Sequence, residues 1–260
     1  MRAWFTIACV LCLALLLALL GLPLVALAVR VPPGDLLAQL GSSAARAALV
    51  VSLKTSFAAH AVLVTAGTPA AYLVARTRFR GRGLVIALIE LPLVLPPVVA
   101  GIALLAAFGR MGLLGSSLRA LGVEIAFTQA AVVLAIVFVS SPFYLRAAIA
   151  AFETLDQDLI DAARSLGAGS FRVFTRLAVP LSRGALAAGS ALAFARGLGE
   201  FGATIIFAGS LPGVTQTLPL AVYAELDRDL PAAIALSVLL VALSAAVLVV
   251  LRMGVRWRRW

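Results

Sequence analysis

The feature that most limits what this chain can fold into is a succession of six long apolar stretches. A helix of ~20 apolar residues is long enough to cross the hydrocarbon core of a bilayer. The sequence is 63% hydrophobic and only 12% charged, whereas soluble domains are about half apolar and about a quarter charged. These observations predict an all-α, polytopic membrane protein that forms a single domain over residues 1–260. The expected spans are residues 5–29, 49–75, 84–108, 130–150, 184–208 and 232–251.

The first stretch also has features of a signal peptide. Arg2 gives it a basic start, and residues 26–28 resemble a cleavage site. Its apolar run is longer than the ~7–15 residues of an ordinary signal-peptide core, so we expect a retained span. Cys9 and Cys12 lie within it, without the second Cys or His pair that a metal site needs, and are expected to be membrane-facing hydrophobes.

The formal charge of +10 would suggest nucleic-acid binding in a soluble chain. Here the arginines lie at the ends of the spans, and their distribution follows the positive-inside rule. We therefore expect membrane lipid around the chain, no nucleic-acid partner, and both termini in the cytoplasm. The segments assigned to the cytoplasm contain Arg2, Arg76, Arg78, Arg80, Arg82, Arg146, Arg164, Arg172, Arg176, Arg183, Arg252, Arg256, Arg258 and Arg259, whereas the outer loops contain Arg30, Arg46, Arg110, Arg119 and Arg228.

A long polar segment separates the fourth and fifth spans, and we call residues 152–183 the 152–183 segment. The Thr154 to Gln157 spacing is that of a capping box and predicts the start of a helix. Gly167 and Gly169 are expected to end that helix, and Ser170 to cap a second one that Pro180 closes. Two short helices around a glycine turn, on the cytoplasmic side, are suited to docking on a soluble partner.

Two spans carry residues that are unusual in a membrane helix. The third contains Pro92, Pro96 and Pro97, which remove backbone donors and bend the helix. This bend is either a kink shaped by packing or part of a helix that lines a pathway, and the two are compatible.

In the fifth span, Arg196 and Glu200 lie four residues apart among Gly197, Gly199 and Gly202. They form either a self-neutralising pair on one helix face, with glycines for close packing, or a site near the route of an anion.

Sequence signals for catalysis are lacking. There is no phosphate-binding loop of the Walker type, and His60 is the sole histidine. We expect His60 to be packed or hydrogen-bonded rather than a metal ligand, so no catalytic or metal site is predicted. Lys54 is expected to extend to the outer interface, whereas Glu90 can face protein or water. If the protein moves something uphill, the energy would have to enter from another chain, and the 152–183 segment is the one cytoplasmic platform for it.

The 152–183 segment resembles the EAA signature of importer-type ABC transporter permeases, in which Glu-Ala-Ala is followed by a spaced Gly and then by Ile-x-Leu-Pro. Here the order is Asp161-Ala162-Ala163, three residues, Gly167, nine residues, then 177–180. Asp replaces Glu, Leu177 replaces Ile and Val179 replaces Leu. The resemblance extends to the whole chain, since six spans with this segment between the fourth and fifth are typical of such permeases.

The resemblance implies several properties of the chain. It would be a homodimer in the cytoplasmic membrane of a prokaryote, with two cytoplasmic ATPase subunits that bind ATP and Mg, no cofactor of its own, and an extracytoplasmic binding protein. Asp161, Ala162, Ala163 and Gly167 would couple it to the ATPase. Pro96, Pro97, Arg196, Gly199, Glu200 and Gly202 are the candidates for the pathway or gate.

Residues 91–101 and 199–223 are most similar to the molybdate/tungstate branch of the oxyanion permeases. Sulfate and thiosulfate permeases share much of both stretches and are the alternative. A membrane enzyme or assembly factor that works without an ATPase is a third possibility, which the missing catalytic motifs disfavour.

Overall fold

The computed structural model describes residues 3–30 and 33–256, and every regular element in these ranges is helical. In chain order the helices are α1 (Ala3–Val29), α2 (Pro33–Leu40), α3 (Ser43–Arg76), α4 (Arg82–Val94), α5 (Pro97–Phe108), α6 (Gly115–Ala120), α7 (Gln129–Glu153), α8 (Gln157–Ser165), α9 (Ser170–Val173), a π-helix (Phe174–Ala178), α10 (Val179–Leu198), α11 (Gly202–Phe207), α12 (Leu218–Glu225) and α13 (Leu230–Arg256).

Within the described ranges, five helical stretches are long and apolar enough to cross a membrane, and a bent pair of helices makes a sixth when it is counted as one span. The five are α1, α3, α7, α13 and the continuous stretch Ser170–Leu198 that includes α10. The predicted class, an all-α polytopic membrane protein, is confirmed. Arg2, Arg258 and Arg259, which support the predicted cytoplasmic termini, lie outside the described residues.

The third span differs from the single bent helix that we expected over residues 84–108. It consists of α4 and α5, whose axes differ in direction by 119°. Pro97 begins α5, and Pro96 before it is extended, with ψ of 136°. Leu95 is extended as well, because a residue before proline avoids the helical region. With 13 residues, α4 is about 20 Å long, too short to cross the hydrocarbon core alone.

The fifth span is also interrupted, and its bounds differ from the expected 184–208. Helix α10 ends at Leu198, and the short helix α11 begins only at Gly202. At the other end Pro180 does not close the preceding helix. The π-helix widens the turn before it, and the chain continues as helix into α10. Pro180 is the second residue of α10 and directly follows the π-helix, so its missing N–H falls where the α-helical hydrogen-bond pattern is already interrupted.

The predicted helix starts within the 152–183 segment are wrong by a few residues. Thr154 caps the carboxyl end of α7, and Asp156 is the residue whose carboxylate accepts the amide N–H of Asp158 at the start of α8. Gly169, rather than Ser170, precedes α9. The apolar pattern of α7 continues to the fully buried Phe152, which carries that helix past the expected end of the fourth span.

Helix α7 lies at the centre of the bundle and packs against α3, α4, α5, α10 and α11. Its residues Ala131, Val132 and Ala135 belong to one apolar core, and Tyr144, Ala148 and Phe152 to a second. By contrast, no residue in the apolar stretch of α1 is buried within the protein, although this helix does contact α13. Cys9 and Cys12 are exposed on α1, in agreement with the prediction for them.

His60 is hydrogen-bonded. Its Nε2 lies 2.6 Å from Ser190 Oγ on α10, and its ring meets Phe194 edge-on. Among the residues that the structure describes, no group of three His, Cys, Asp or Glu side chains could hold a metal ion.

Candidate functional site

The 152–183 segment places a small apolar surface at the end of the bundle where α3 and α7 finish. Helix α8 inserts a single side chain, Ile160, into the protein, with 1% of its surface exposed. Leu166 and Phe171 are 89% and 80% exposed, and Leu159 is about half exposed. Leu159 and Leu166, on α8 and at its carboxyl-terminal cap, therefore point away from this chain. Unpaired apolar side chains in such a group are typical of an interaction surface.

The EAA-like residues lie on and beside this surface. Asp161, Ala162 and Gly167 are exposed, and Ala163 is half-buried. The carboxylate of Asp161 accepts a hydrogen bond from the Gln157 side-chain amide at 3.0 Å. The alanines leave the backbone of α8 accessible, so that another protein can approach it closely.

Gly167 ends α8, as the sequence predicts. Its φ is +84°, in the left-handed region that glycine adopts without a steric penalty. Its N–H donates to the carbonyl of Arg164, and the N–H of Ala168 donates to the carbonyl of Ala163. These two bonds form a Schellman motif, which satisfies the last carbonyls of the helix.

The breaks in the third and fifth spans meet, and we call the contact between α5 and α11 the α5–α11 junction. A Cβ placed on Gly202 would lie 2.4 Å from Cβ of Pro97, and one placed on Gly101 would lie 2.7 Å from Cβ of Ile206. Only glycine at both positions allows the two backbones to come this close. The sequence identifies the glycines of the fifth span and the prolines of the third, but not that they touch.

Glu200 links the two helices of the broken fifth span. Its carboxylate pairs with the Arg196 guanidinium at 2.8 Å and accepts the N–H of Ala203, in the first turn of α11, also at 2.8 Å. The Glu200 side chain is 1% exposed, and that of Arg196 is 31% exposed. The predicted ion pair is present, but not on one helix face, since Glu200 lies in the turn after α10 has ended.

The three glycines of this region differ in role. Gly197 and Gly202 are packing positions, because a Cβ on Gly197 would lie 2.7 Å from Ile136. Gly199 is exposed, with open space around the position of a Cβ. The structure thus shows two contacts among the pathway candidates, Gly202 against Pro97 and Arg196 with Glu200, and Pro96 lies at the break before α5.

The structure also shows the surroundings of Glu90 and Lys54, the two other charged residues singled out in the sequence. Glu90 pairs with Arg146 at 3.2 Å and joins α4 to α7. At the end of the bundle opposite the 152–183 segment, Lys54 is exposed beside a groove of about 510 Å³ that Arg46 and Gln129 also line.

Arg110 lies in a loop at that same end of the bundle. It is exposed, and a hydrogen bond from its guanidinium to Glu124, together with the charge of that carboxylate, raises the pKa of Arg110.

A helical membrane bundle with an exposed helical segment between its fourth and fifth spans is the arrangement that the resemblance to importer permeases implies. Residues 67–259 match the family described as binding-protein-dependent transport system inner membrane component, and the chain belongs to that family. The predicted resemblance to permeases of ABC importers is thereby confirmed. The chain is therefore a multi-pass component of a bacterial inner membrane, and such permeases work with a binding protein and ATPase subunits.

The similarity extends to particular relatives. The chain is 48% identical to the molybdenum transport system permease protein ModB of Mycobacterium tuberculosis over 236 residues, which are 91% of this chain and 89% of that protein. It is 32% identical to the sulfate transport system permease protein CysT of Synechocystis sp. over 210 residues, 80% of this chain and 73% of that protein. A bacterial ABC transporter that imports alginate has the same fold, with a TM-score of 0.79, 14% identity, and coverage of 100% of this chain and 97% of that one.

Proposed function

We propose that this protein is the permease subunit of an ATP-driven importer for molybdate and tungstate. The observation that carries the proposal is its 48% identity to a molybdenum transport permease over 91% of the chain. The identity to a sulfate permease is 32% over 80% of the chain, which favours the molybdate branch over the sulfate alternative. In the working complex two copies would enclose the pathway, two ATPase subunits would bind the 152–183 segments, and a binding protein would deliver the anion from outside.

Coupling would begin at the surface formed by Leu159, Leu166, Phe171 and the EAA-like residues. Asp161, Ala162 and Ala163 would contact the ATPase, while Gly167 turns the chain back toward the membrane. The exposure of Leu166 and Phe171 supports this assignment, because a partner that covers them removes about 25 cal/mol of unfavourable free energy per Å² of buried apolar surface.

Continuous helix offers a route by which movement of the ATPase would reach the membrane. The second half of the 152–183 segment passes through the π-helix directly into α10. The Arg196–Glu200 pair then joins α10 to α11, and α11 packs on α5. A displacement of the segment would therefore shift the α5–α11 junction, where we place the gate formed by Pro96, Pro97, Arg196, Gly199, Glu200 and Gly202.

The proposal is tested by reconstituting the permease with its ATPase in liposomes and supplying the binding protein. Molybdate-loaded binding protein should stimulate ATP hydrolysis and uptake of labelled molybdate, and tungstate should compete. Uptake of sulfate without uptake of molybdate would support the alternative instead. Failure to recover any ATPase with the solubilised permease would favour a protein that works without one.

A further inference from the structure

The last residue of α3, Arg76, joins three elements at the start of the 152–183 segment. Its guanidinium Nη1 donates to the carbonyl oxygen of Leu155 at 3.2 Å and, at 3.5 Å, to that of Phe152. Its Nη2 donates to the side-chain oxygen of Gln157, the first residue of α8. Gln157 in turn donates to Asp161 of the EAA-like motif. A single side chain of the second span is thus two hydrogen bonds away from the residue expected to contact the ATPase.

The chemistry of these contacts suits an arginine. The last carbonyls of a helix have no partner within it and carry the negative end of the helix dipole. Phe152 is in the last turn of α7 and Leu155 follows its cap residue, so the guanidinium lies at the negative end of α7 while it binds α8. Lysine cannot reproduce this arrangement, because its ammonium lacks the planar fork that donates in several fixed directions.

A second contact from α3 fastens the other end of the same segment. Tyr72, one turn before Arg76, packs edge-on against Phe152 at 5.3 Å and against Phe174 of the π-helix at 5.0 Å. Phe152 and Phe174 are themselves 6.4 Å apart. The carboxyl end of α3 therefore holds the segment both where it leaves α7 and where it returns to the membrane.

From these contacts we infer that Arg76 is a positioning residue that ties the coupling helix α8 to the second span, so that docking by the ATPase moves α3 together with α10. The inference rests on the proposed function, since it presumes an ATPase at α8. It adds a second mechanical connection beside the continuous helix from the π-helix to α10. Without it, α8 would depend more heavily on its two chain ends and on Ile160, the buried residue of this helix.

The neighbouring arginines provide matched controls. Arg78 and Arg80 lie in the same loop after α3 and are exposed, whereas Arg76 is half-buried. Arg78→Gln removes the same charge from the same end of the bundle but leaves the contacts with Phe152, Leu155 and Gln157 in place. Any difference between Arg76→Gln and Arg78→Gln then reports those contacts rather than net charge.

The first experiment measures the number of anions imported per ATP hydrolysed, in liposomes that contain the whole complex and are supplied with binding protein. Hydrogen bonds that involve a charged group are stronger than those between neutral groups. We therefore expect the number of anions imported per ATP to fall about tenfold in Arg76→Gln and nearly as far in Arg76→Lys. In Arg78→Gln this number should stay at the wild-type value. The ATPase should still co-purify with each variant. A wild-type ratio in Arg76→Gln, or an equal loss in Arg78→Gln, would overturn the inference.

Gln157→Ala tests the same connection without altering a spanning helix, in case Arg76→Gln does not assemble. Because Gln157 is exposed, this change should leave assembly intact and lower the ratio about threefold through loss of one hydrogen bond. An unchanged ratio in Gln157→Ala would overturn the part of the inference that runs through α8 and Asp161.

A distance measurement separates failure of this inference from failure of the proposed function. Spin labels at Arg80→Cys and Ala168→Cys, in a background with Cys9 and Cys12 replaced by serine, report the separation of the loop after α3 from the turn after α8. We expect a narrow distribution that broadens in Arg76→Gln and not in Arg78→Gln. This measurement needs no transported anion, so an unchanged distance distribution in Arg76→Gln would refute the positioning role of Arg76 whichever anion is transported. Absence of molybdate uptake by the wild type, in contrast, would refute only the proposed function.

Discussion

Replacing Gly202 with alanine should disrupt the α5–α11 junction, and the structure gives the size of the effect. The added Cβ would lie 2.4 Å from Cβ of Pro97, well inside the ~3.5–4.0 Å at which carbon atoms make favourable contact. The Pro97 carbon belongs to a ring at the first position of α5 and cannot rotate away, so the two helices must separate. The backbone at Gly202 is not left-handed, and the entire penalty is therefore steric.

Two opposing terms decide the net result. Overpacking of this kind costs about 1–3 kcal/mol, and the rigid neighbour places this site in the upper part of that range. Alanine recovers up to about 1 kcal/mol through its better helix propensity. We therefore expect a net destabilisation of about 1–2 kcal/mol, together with loss of uptake if the junction forms the gate. Gly101→Ala, on the opposite side of the contact, should act in the same direction.

Thermal unfolding of the purified permease–ATPase complex in detergent measures the stability, and uptake into liposomes measures the function. The matched control is Gly199→Ala, since Gly199 is exposed, has open space around its Cβ position and has an ordinary φ of −88°. It should change stability by less than about 0.5 kcal/mol. A Gly202→Ala complex that unfolds at the wild-type temperature, or a Gly199→Ala complex that is equally destabilised, would show that the close approach of α5 and α11 does not exist.

Three further substitutions test the coupling and gate residues. Gly167→Ala should cost about 1 kcal/mol because its φ of +84° is left-handed, and it should lower uptake per ATP, whereas Gly169→Ala, at φ of −68°, should not. Ala163→Trp should block docking of α8 and uncouple ATP hydrolysis from uptake; normal uptake by that reconstituted complex would contradict the docking geometry. Arg196→Ala should abolish uptake and lower stability by about 1–3 kcal/mol, a value reduced because Arg196 is 31% exposed. Adding Glu200→Gln should restore stability but not uptake, and wild-type uptake by the double variant would remove Arg196 from the pathway.

The 152–183 segment was predictable because its composition contrasts with the rest of the chain. It is recognised by its cluster of charged residues between two apolar spans. Gly167 ends α8, as its position after the predicted helix indicates. The helix starts could not be placed as well. Capping depends on which of several Asp, Thr and Ser side chains reaches a free N–H. The packing of Phe152 against Tyr72 accompanies the extension of α7 to Glu153, so that Thr154 caps its carboxyl end instead of starting the next helix.

The breaks in the third and fifth spans were only half predictable. Three prolines indicate a bend, but a change of direction of 119° depends on what α5 packs against after Pro97. For Glu200, the four-residue spacing from Arg196 indicates a pair on one helix. The observed pair instead spans the turn between α10 and α11, because the carboxylate also accepts the N–H of Ala203.

The membrane class and the place of the polar 152–183 segment could thus be predicted without a structure. These properties follow from the length and polarity of local stretches, since every apolar run must be buried in lipid or protein and every polar run must reach water. The approach of Gly202 to Pro97 and the bonds from Arg76 to Leu155 and Gln157 became evident only from the packing of the helices. Such contacts join residues that are far apart in the chain, and their energies depend on the geometry of approach between helices rather than on the local sequence of either one.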